Sequence, residues 1–304
     1  MSFSCRSCVV LTLKFVNIGV GCLPYGVKNV TLHLEMKVMR KFIIFSLLAL
    51  VMCSCGEYQR ALKSEDYNYK FEFAKQAFEN KRYVQAGTLF KQCCNVFKGT
   101  DKAEESLYLL GLSDYENQDY LSSGAVFKTY YQRYPKGKFV EPARFYCGYG
   151  YYLDSPDPQL DQSTTIKGIE ELQAFLEYFP RSDKVALAQN AIFVLQDKLT
   201  LKQLQNAQLY YNLGNYLGNN YESCVIVARN AVKDYPYSKY KEDLELLILK
   251  ARYQEADQSI DERKQERFRE VIDEYYSFVN NYPDSPNRQE AENIYQIARK
   301  YVKD

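Results

Sequence analysis

The chain has 304 residues, 46% of them hydrophobic and 25% charged, enough apolar mass for a large core. Its 39 basic and 38 acidic side chains nearly cancel, and six of the basic residues fall with a single acid in residues 1–54, so the remainder is mildly acidic at −4. That balance excludes a nucleic-acid surface, which needs concentrated positive charge.

Residues 1–35 have no helical periodicity. Cys5 and Cys8 have thioredoxin or zinc spacing, but no second pair follows. This segment reads as an upstream extension or a mis-assigned start, with translation expected to begin at Met36 or Met39. Residues 36–54 read as a secretory signal: Lys37, Arg40 and Lys41 come first, Phe42 to Met52 are apolar or small, and Ser54 precedes Cys55. Eleven such residues are too few to span a bilayer, which takes roughly 20. The pattern resembles a bacterial lipoprotein signal, which implies cleavage before Cys55 and acylation of that cysteine; Cys53 fits less well because Met52, not a small residue, precedes it. More than one acyl chain gives stable anchoring. Residues 55–66 then form the lipidated N-terminus and tether, and 67–304 the folded domain.

Beyond the tether the chain repeats itself. In the second and clearest copy, Leu107, Leu110, Gly111 and Tyr115 share one helix face, Asn117 to Asp119 make a turn, and a second helix runs to Tyr134, stopped by Pro135. The aromatic-proline stop recurs as Phe179-Pro180, Tyr235-Pro236 and Tyr282-Pro283, with Phe97-Lys98 as a degenerate first member, at spacings of 37, 45, 56 and 47 residues. Positions one, four, five and eight before each stop lie on one helical face. They are Phe90, Cys93, Cys94 and Phe97; Phe127, Tyr130, Tyr131 and Tyr134; Leu172, Phe175, Leu176 and Phe179; Ala228, Ala231, Val232 and Tyr235; and Tyr275, Phe278, Val279 and Tyr282. All twenty are apolar, where a 46% hydrophobic chain would give about nine by chance. Thr100, Gly137, Ser182, Ser238 and Ser285 follow the stops by two residues and suit helix N-termini.

Some units depart from the pattern. The third carries an insert, Asp154 to Gln162, with two prolines and turn-forming acids, expected to leave the surface as a loop. The fourth, Gln205 to Pro236, reads as a near-standard hairpin turning at Gly218 to Asn220. The fifth reads as opening on a long helix from about Lys239. Pro286 then starts a last helix with Ala291, Ile294, Ile297, Ala298 and Tyr301 on one side, suited to cap the array. The period, the two helices per unit and the terminal proline resemble tetratricopeptide repeats. Ala74, Ala86, Phe90 and Cys93, then Gly111, Phe127 and Pro135, stand where that family keeps small, bulky and proline residues. The expected fold is therefore all-α: a right-handed superhelical solenoid of about five tetratricopeptide-like hairpins plus a C-terminal capping helix.

Chemistry is sparse. The only histidine, His33, lies upstream of the expected cut, which removes Ser-His and Cys-His pairs and the usual zinc ligands from the mature chain. No Gly-rich phosphate loop occurs. Cys93, Cys94 and Cys224 read as core packing, and a disulfide framework is not indicated. Adjacent acids such as Glu104-Glu105 and Glu170-Glu171 point about 100° apart on a helix and do not pair for acid/base work. The expectation is a protein that is not an enzyme and needs no metal or cofactor. Tyrosine, 29 residues with no tryptophan, is the conspicuous type. Most tyrosines at helical spacing pack in cores, but first helices stack on the concave face of such a solenoid, and a ring with a hydroxyl suits peptide binding there. Phe71, Phe78, Tyr108, Leu112, Tyr115, Tyr146 and Tyr149 are the candidate groove residues.

The lipoprotein signal with Cys55, the five hairpins, the tyrosine-rich helix Phe145 to Leu153, the insert Asp157-Pro158-Gln159, and the corners Phe179-Pro180-Arg181-Ser182 and Asp234-Tyr235-Pro236 together resemble the BamD family of outer-membrane assembly lipoproteins. The resemblance covers nearly all of the mature chain. It implies a lipid-anchored subunit of the β-barrel assembly machine on the periplasmic face of the outer membrane. Its implied partners are a BamA-type barrel subunit, held by the later repeats, and unfolded outer-membrane β-barrel precursors, received by the earlier ones. No single contact residue carries over. Two other readings share the fold and signal: a starch-utilisation-type glycan-binding lipoprotein, a class that stacks sugars on tryptophan, and a general envelope scaffold.

Overall fold

The computed structural model describes residues 56–302, so the expectations for residues 1–35, for the signal 36–54 and for Cys55 lie outside the described residues. The described residues form twelve helices and no strand. Residues 56–63 are a helix, α1, belonging to a unit that ends at Ser64. The second compact unit begins at Glu65 and holds the other eleven: α2 (Tyr67–Glu79), α3 (Tyr83–Val96), α4 (Asp101–Glu116), α5 (Tyr120–Arg133), α6 (Val140–Leu153), α7 (Ser163–Tyr178), α8 (Val185–Leu213), α9 (Asn220–Asp234), α10 (Lys241–Asp257), α11 (Asp261–Asn281) and α12 (Arg288–Ala298).

Within this unit each helix packs on the next, giving five hairpins and a closing helix. The even-numbered helices also touch along an inner row, α4 to α6, α6 to α8, α8 to α10 and α10 to α12. This is a tetratricopeptide-like solenoid, in which each unit buries its apolar face against its neighbours. All twenty stripe residues are buried or half-buried. Phe90, Phe127, Phe175 and Phe278 are large fully buried rings on four of the five second helices, with Ala228 and Ala231 at the matching positions of α9. Each contributes about 2 kcal/mol relative to an exposed ring. Gly111 and Gly148 are small by necessity. A Cβ on Gly111 would sit 2.9 Å from the Phe127 ring, and one on Gly148 would sit 2.9 Å from the backbone nitrogen of Leu172.

The stops share one geometry. Tyr134, Phe179, Tyr235 and Tyr282 have φ between −124 and −131° and ψ between 59 and 68°. A residue before proline is pushed out of the helical region by the ring's Cδ, so the helix must end there. Phe97, followed by Lys98, keeps φ −79° and ψ 13°, and the chain turns instead through Gly99 at φ +88°. At the four proline corners the carbonyl of the aromatic residue before the proline accepts from the N–H three residues on, at Gly137, Ser182, Ser238 and Ser285, and the carbonyl of that residue repeats the move. One extra turn therefore separates each stop from the next helix. The serines act a turn ahead of the N-termini assigned to them from the sequence: Ser182, Ser238 and Ser285 accept from Lys184, Tyr240 and Asn287 at 3.2, 3.3 and 3.0 Å. The Thr100 hydroxyl donates to the Phe97 carbonyl at 2.7 Å.

Three expectations need correction. The fourth hairpin does not open near Gln205: its first helix, α8, starts at Val185 and has 29 residues. No glycine or proline interrupts residues 185–213, so nothing ends the helix before Gly214 at φ +54°. The fifth hairpin's first helix is ordinary, 17 residues in α10, and the extra length lies in the 21 residues of α11. The insert between α6 and α7 does not stand away from the surface. Lys198 donates to the Ser155 carbonyl at 2.8 Å and Lys202 to the Leu160 carbonyl at 2.7 Å, which fastens the insert to α8.

Candidate functional site

The inner row places the tyrosines of α4 and α6 side by side. Tyr146, Tyr149 and Tyr152 recur every third residue along α6, so they spread over one broad face, while Phe145 beside them enters the core with Leu172, Phe175 and Leu195. Tyr115 of α4 meets Tyr146 of α6 with ring centroids 4.9 Å apart and Tyr120 at 5.4 Å. Tyr146 lies 6.0 Å from Phe127, and Phe127 lies 5.9 Å from Tyr108. Tyr108 in turn stacks on Phe139 at 4.4 Å. On the other side Phe145 stacks on Tyr149 at 5.1 Å, and Tyr149 reaches Tyr152 at the same distance. The result is one network of half-buried rings rooted on buried phenylalanines across two adjacent first helices.

Of the seven groove candidates, Tyr108, Tyr115, Tyr146 and Tyr149 belong to this network, and Leu112 is half-buried on the same helix as the first two. Phe71 does not join them. Its side chain is only 2% exposed, with its ring edge-on to Phe90 at 6.0 Å and Phe97 at 6.1 Å, so it holds the first hairpin together. Phe78 sits against Tyr83 at 5.4 Å, beside the tip of that hairpin.

Burial pushes the Tyr108 hydroxyl up to about 12, raises Tyr115 further, and raises Tyr149. These hydroxyls stay protonated at neutral pH, so each can donate to a carbonyl and accept from an N–H. Half-buried rings of this kind present apolar area at low entropic cost and supply a hydrogen-bonding tip. They offer neither a nucleophile nor a proton relay. The cysteines are equally quiet: Cys93, Cys94, Cys147 and Cys224 are free and buried, and desolvation raises the first to about 11 and the others to about 12.

Two polar arrangements escaped the sequence reading. The first concerns the corners. Glu104 of α4 accepts from the Lys138 N–H at 2.7 Å and from the Tyr130 hydroxyl at 2.6 Å, and Tyr130 accepts from the Phe139 N–H at 3.0 Å. Asp197 of α8 accepts from the Ser238 hydroxyl at 2.6 Å and the Lys239 N–H at 3.1 Å. Glu242 of α10 accepts from the Ser285 hydroxyl and the Asn287 amide. A first-helix carboxylate thus latches the corner that closes its own hairpin. The available signal was an acid seven residues after the preceding aromatic stop, which marks Glu104 and Glu242 but not Asp197.

The second is an ionic seam between the fourth and fifth hairpins. Arg252 of α10 binds Glu222 of α9 and reaches Glu255 at 2.8 Å; Glu255 also accepts from Asn219 at 2.7 Å and faces Arg267 of α11 at 3.5 Å. The side chains of Arg252 and Glu255 are only 12% and 8% exposed. Every ionised group there has an opposite partner, which makes the seam structural.

Comparison with known families matches residues 64–219 to the YfiO family, described as outer membrane lipoprotein. No curated protein matches. The matched span takes in α2 to α8, including the whole tyrosine network, and ends at Asn219, the cap of α9. As it covers more than half of the residues, the chain belongs to this family of outer membrane lipoproteins.

Proposed function

We propose that this YfiO-family outer membrane lipoprotein is a non-catalytic scaffold of the β-barrel assembly machine, of the BamD type, that helps to fold and insert outer-membrane β-barrel proteins. Acyl chains on Cys55 hold it to the periplasmic face of the outer membrane. The tyrosine network of α4 and α6 receives an extended segment of an unfolded barrel precursor, and another surface, on the later hairpins, holds a BamA-type barrel subunit.

The observation that carries this reading is the ring network on adjacent first helices, in which Tyr108 joins Tyr146 and Tyr115 through the buried Phe127, and Tyr146 joins Tyr149 through the buried Phe145. An extended polypeptide gains side-chain contact from such a row and spends its main-chain groups on tyrosine hydroxyls. The histidine-free chain beyond the signal supports a holding role in which no bond is made or broken. The experiment is depletion in the native envelope, followed by quantification of outer-membrane barrel proteins and of the BamA-type complex. Loss of both is expected; unchanged barrel levels with an intact complex reject the proposal.

A further inference from the structure

The tip of the fourth hairpin departs from the chemistry of the first two. Those turn through Asn80-Lys81-Arg82 and Asn117-Gln118-Asp119, and the middle residue of each takes a left-handed φ, +59° at Lys81 and +64° at Gln118. Both side chains are polar and exposed, as suits a turn in water. In the fourth hairpin α8 passes to α9 through residues 214–219, and the left-handed residue other than glycine is Leu217, at φ +56° and 90% exposed. A branched apolar side chain suits neither that conformation nor that solvent. Tyr216 beside it is 68% exposed, and Leu209 and Leu213 continue the exposed apolar row along α8 at helical spacing.

The loop is tied so as to hold these side chains out. The Tyr216 N–H donates to the Leu213 carbonyl at 3.0 Å, the Asn220 N–H to the Gly214 carbonyl at 2.9 Å, and the Asn220 side-chain amide to the Tyr216 carbonyl at 2.8 Å. Main-chain groups satisfied in this way cost less to take out of water. Asn215 ties the loop to Gln258 of the fifth tip at 2.7 Å, where Ile260 is 65% exposed. Charge is missing too. From Gln203 to Tyr221 nineteen residues include no Lys, Arg, Asp or Glu, the longest such run in a chain that is 25% charged. Beyond Ile260, α11 opens with both signs, Asp261 and Glu262 against Arg263 and Lys264, so the two tips offer no net charge to an ionic partner.

An exposed apolar patch marks a protein or a membrane partner, and three features select the membrane. The tip stands out and encloses no groove: a Cβ added at Gly218 would meet nothing within 4 Å. It is uncharged, and so complements hydrocarbon and zwitterionic headgroups. Tyrosine beside leucine, ringed by asparagine amides, is the composition of the bilayer boundary, where the ring sits at headgroup level and the aliphatic chain below it. The family is one of outer membrane lipoproteins, so a bilayer is at hand. We infer that the fourth tip is a membrane contact of its own, in which Leu217 and Tyr216, with Ile260 of the next tip, dip into the headgroup boundary. A tether alone leaves a solenoid free to turn, whereas this contact sets which edge meets the lipid. It does not depend on what the tyrosine row holds.

The chain has no tryptophan, so one introduced residue reports alone. The lipidated full chain is reconstituted in phosphatidylcholine vesicles carrying Leu217→Trp, Tyr216→Trp or, as control, Tyr237→Trp, an exposed residue of the fourth corner that the 15 residues of α9 set about 22 Å from the tip. With brominated acyl chains, emission from positions 217 and 216 should fall about two-fold and that from 237 should hold, as expected of rings seated at the boundary. The quenching should not depend on salt, since no charge takes part. Leu217→Asn, which suits the left-handed turn, should relieve the quenching at 216 and leave thermal unfolding unchanged. Flotation of the same samples reports the anchor separately. Equal quenching at all three positions, none at 216 and 217, or quenching at 216 that survives Leu217→Asn overturns the contact; the second result covers a patch that serves a protein absent from the vesicles.

Discussion

Hairpins two and three differ from hairpins four and five in what joins them. The earlier pair meets through rings: Tyr115 against Tyr146, Phe127 against Tyr146, Tyr108 against Phe139. The later pair meets through the aliphatic faces of α9 and α10, with Val225, Leu244, Leu247 and Ile248 among them, and through the Arg252–Glu255 seam. Both solutions join successive hairpins, but they leave different surfaces. Ring against ring tolerates sliding and keeps part of each ring uncovered, available to a ligand. A buried ion pair demands fixed geometry and exposes little, since each charge needs its partner in place.

The comparison is broken most directly at the seam. Arg252→Ala leaves Glu255 buried with Arg267 at 3.5 Å as its remaining cation, and should cost about 3 kcal/mol. Urea unfolding followed by hydrogen exchange should place the loss in α9 to α11; a loss below about 0.5 kcal/mol, typical of surface pairs, would mean that the seam is ornamental. In the aromatic half, Gly148→Ala should cost about 2 kcal/mol, because the new methyl meets the backbone of α7 as well as the Leu172 side chain and the helices must part. Its effect should be independent of salt, unlike that of surface charges, and a neutral outcome would show that α6 and α7 slide freely.

A smaller, opposite effect is expected at Asp114, on α4 beside Gly87. Burial, with help from Asp119 and against the pull of Lys91, raises its carboxyl from 3.8 to about 6. Because the folded value exceeds the unfolded one, the folded state binds more protons between about pH 4 and 6, and this group's contribution to stability falls as pH rises through that window. Asp114→Asn should therefore stabilise the protein at pH 7 by on the order of 1 kcal/mol after solvent screening. The gain should shrink toward pH 4. Denaturant midpoints of both forms at pH 7 and 4.5 check the sign; an equal difference at both would place the ionisation elsewhere.

Much of this architecture could be read from the chain because its rules are local. Proline forbids helical geometry to the residue before it, so Tyr134, Phe179, Tyr235 and Tyr282 announce their own corners, and a stripe at helical spacing announces the buried face. The run of α8 was equally local, the absence of glycine or proline from Val185 to Leu213, but the repeat period argued for a break at Gln205 and masked it. Non-local pairings were not legible. Glu104 finds its corner 34 residues away at Lys138, and Asp197 finds Ser238 41 residues away, distances at which no spacing rule operates. Four of the seven groove candidates fell into one network because helical spacing and the stacking of first helices both select them. Phe71 fell into the core because an aromatic residue at that spacing serves packing and binding alike, and only its neighbours Phe90 and Phe97 decide which.

The central claim, that the ring network holds unfolded barrel segments, is tested most directly by placing a photo-crosslinking phenylalanine analogue at Tyr115, at Tyr149 and, as an exposed control outside the network, at Tyr237. After irradiation in intact cells, adducts with newly made outer-membrane barrel proteins should form at Tyr115 and Tyr149 and not at Tyr237. Adducts of equal yield at all three positions, or none at the two network positions while the protein remains folded and anchored, would contradict it.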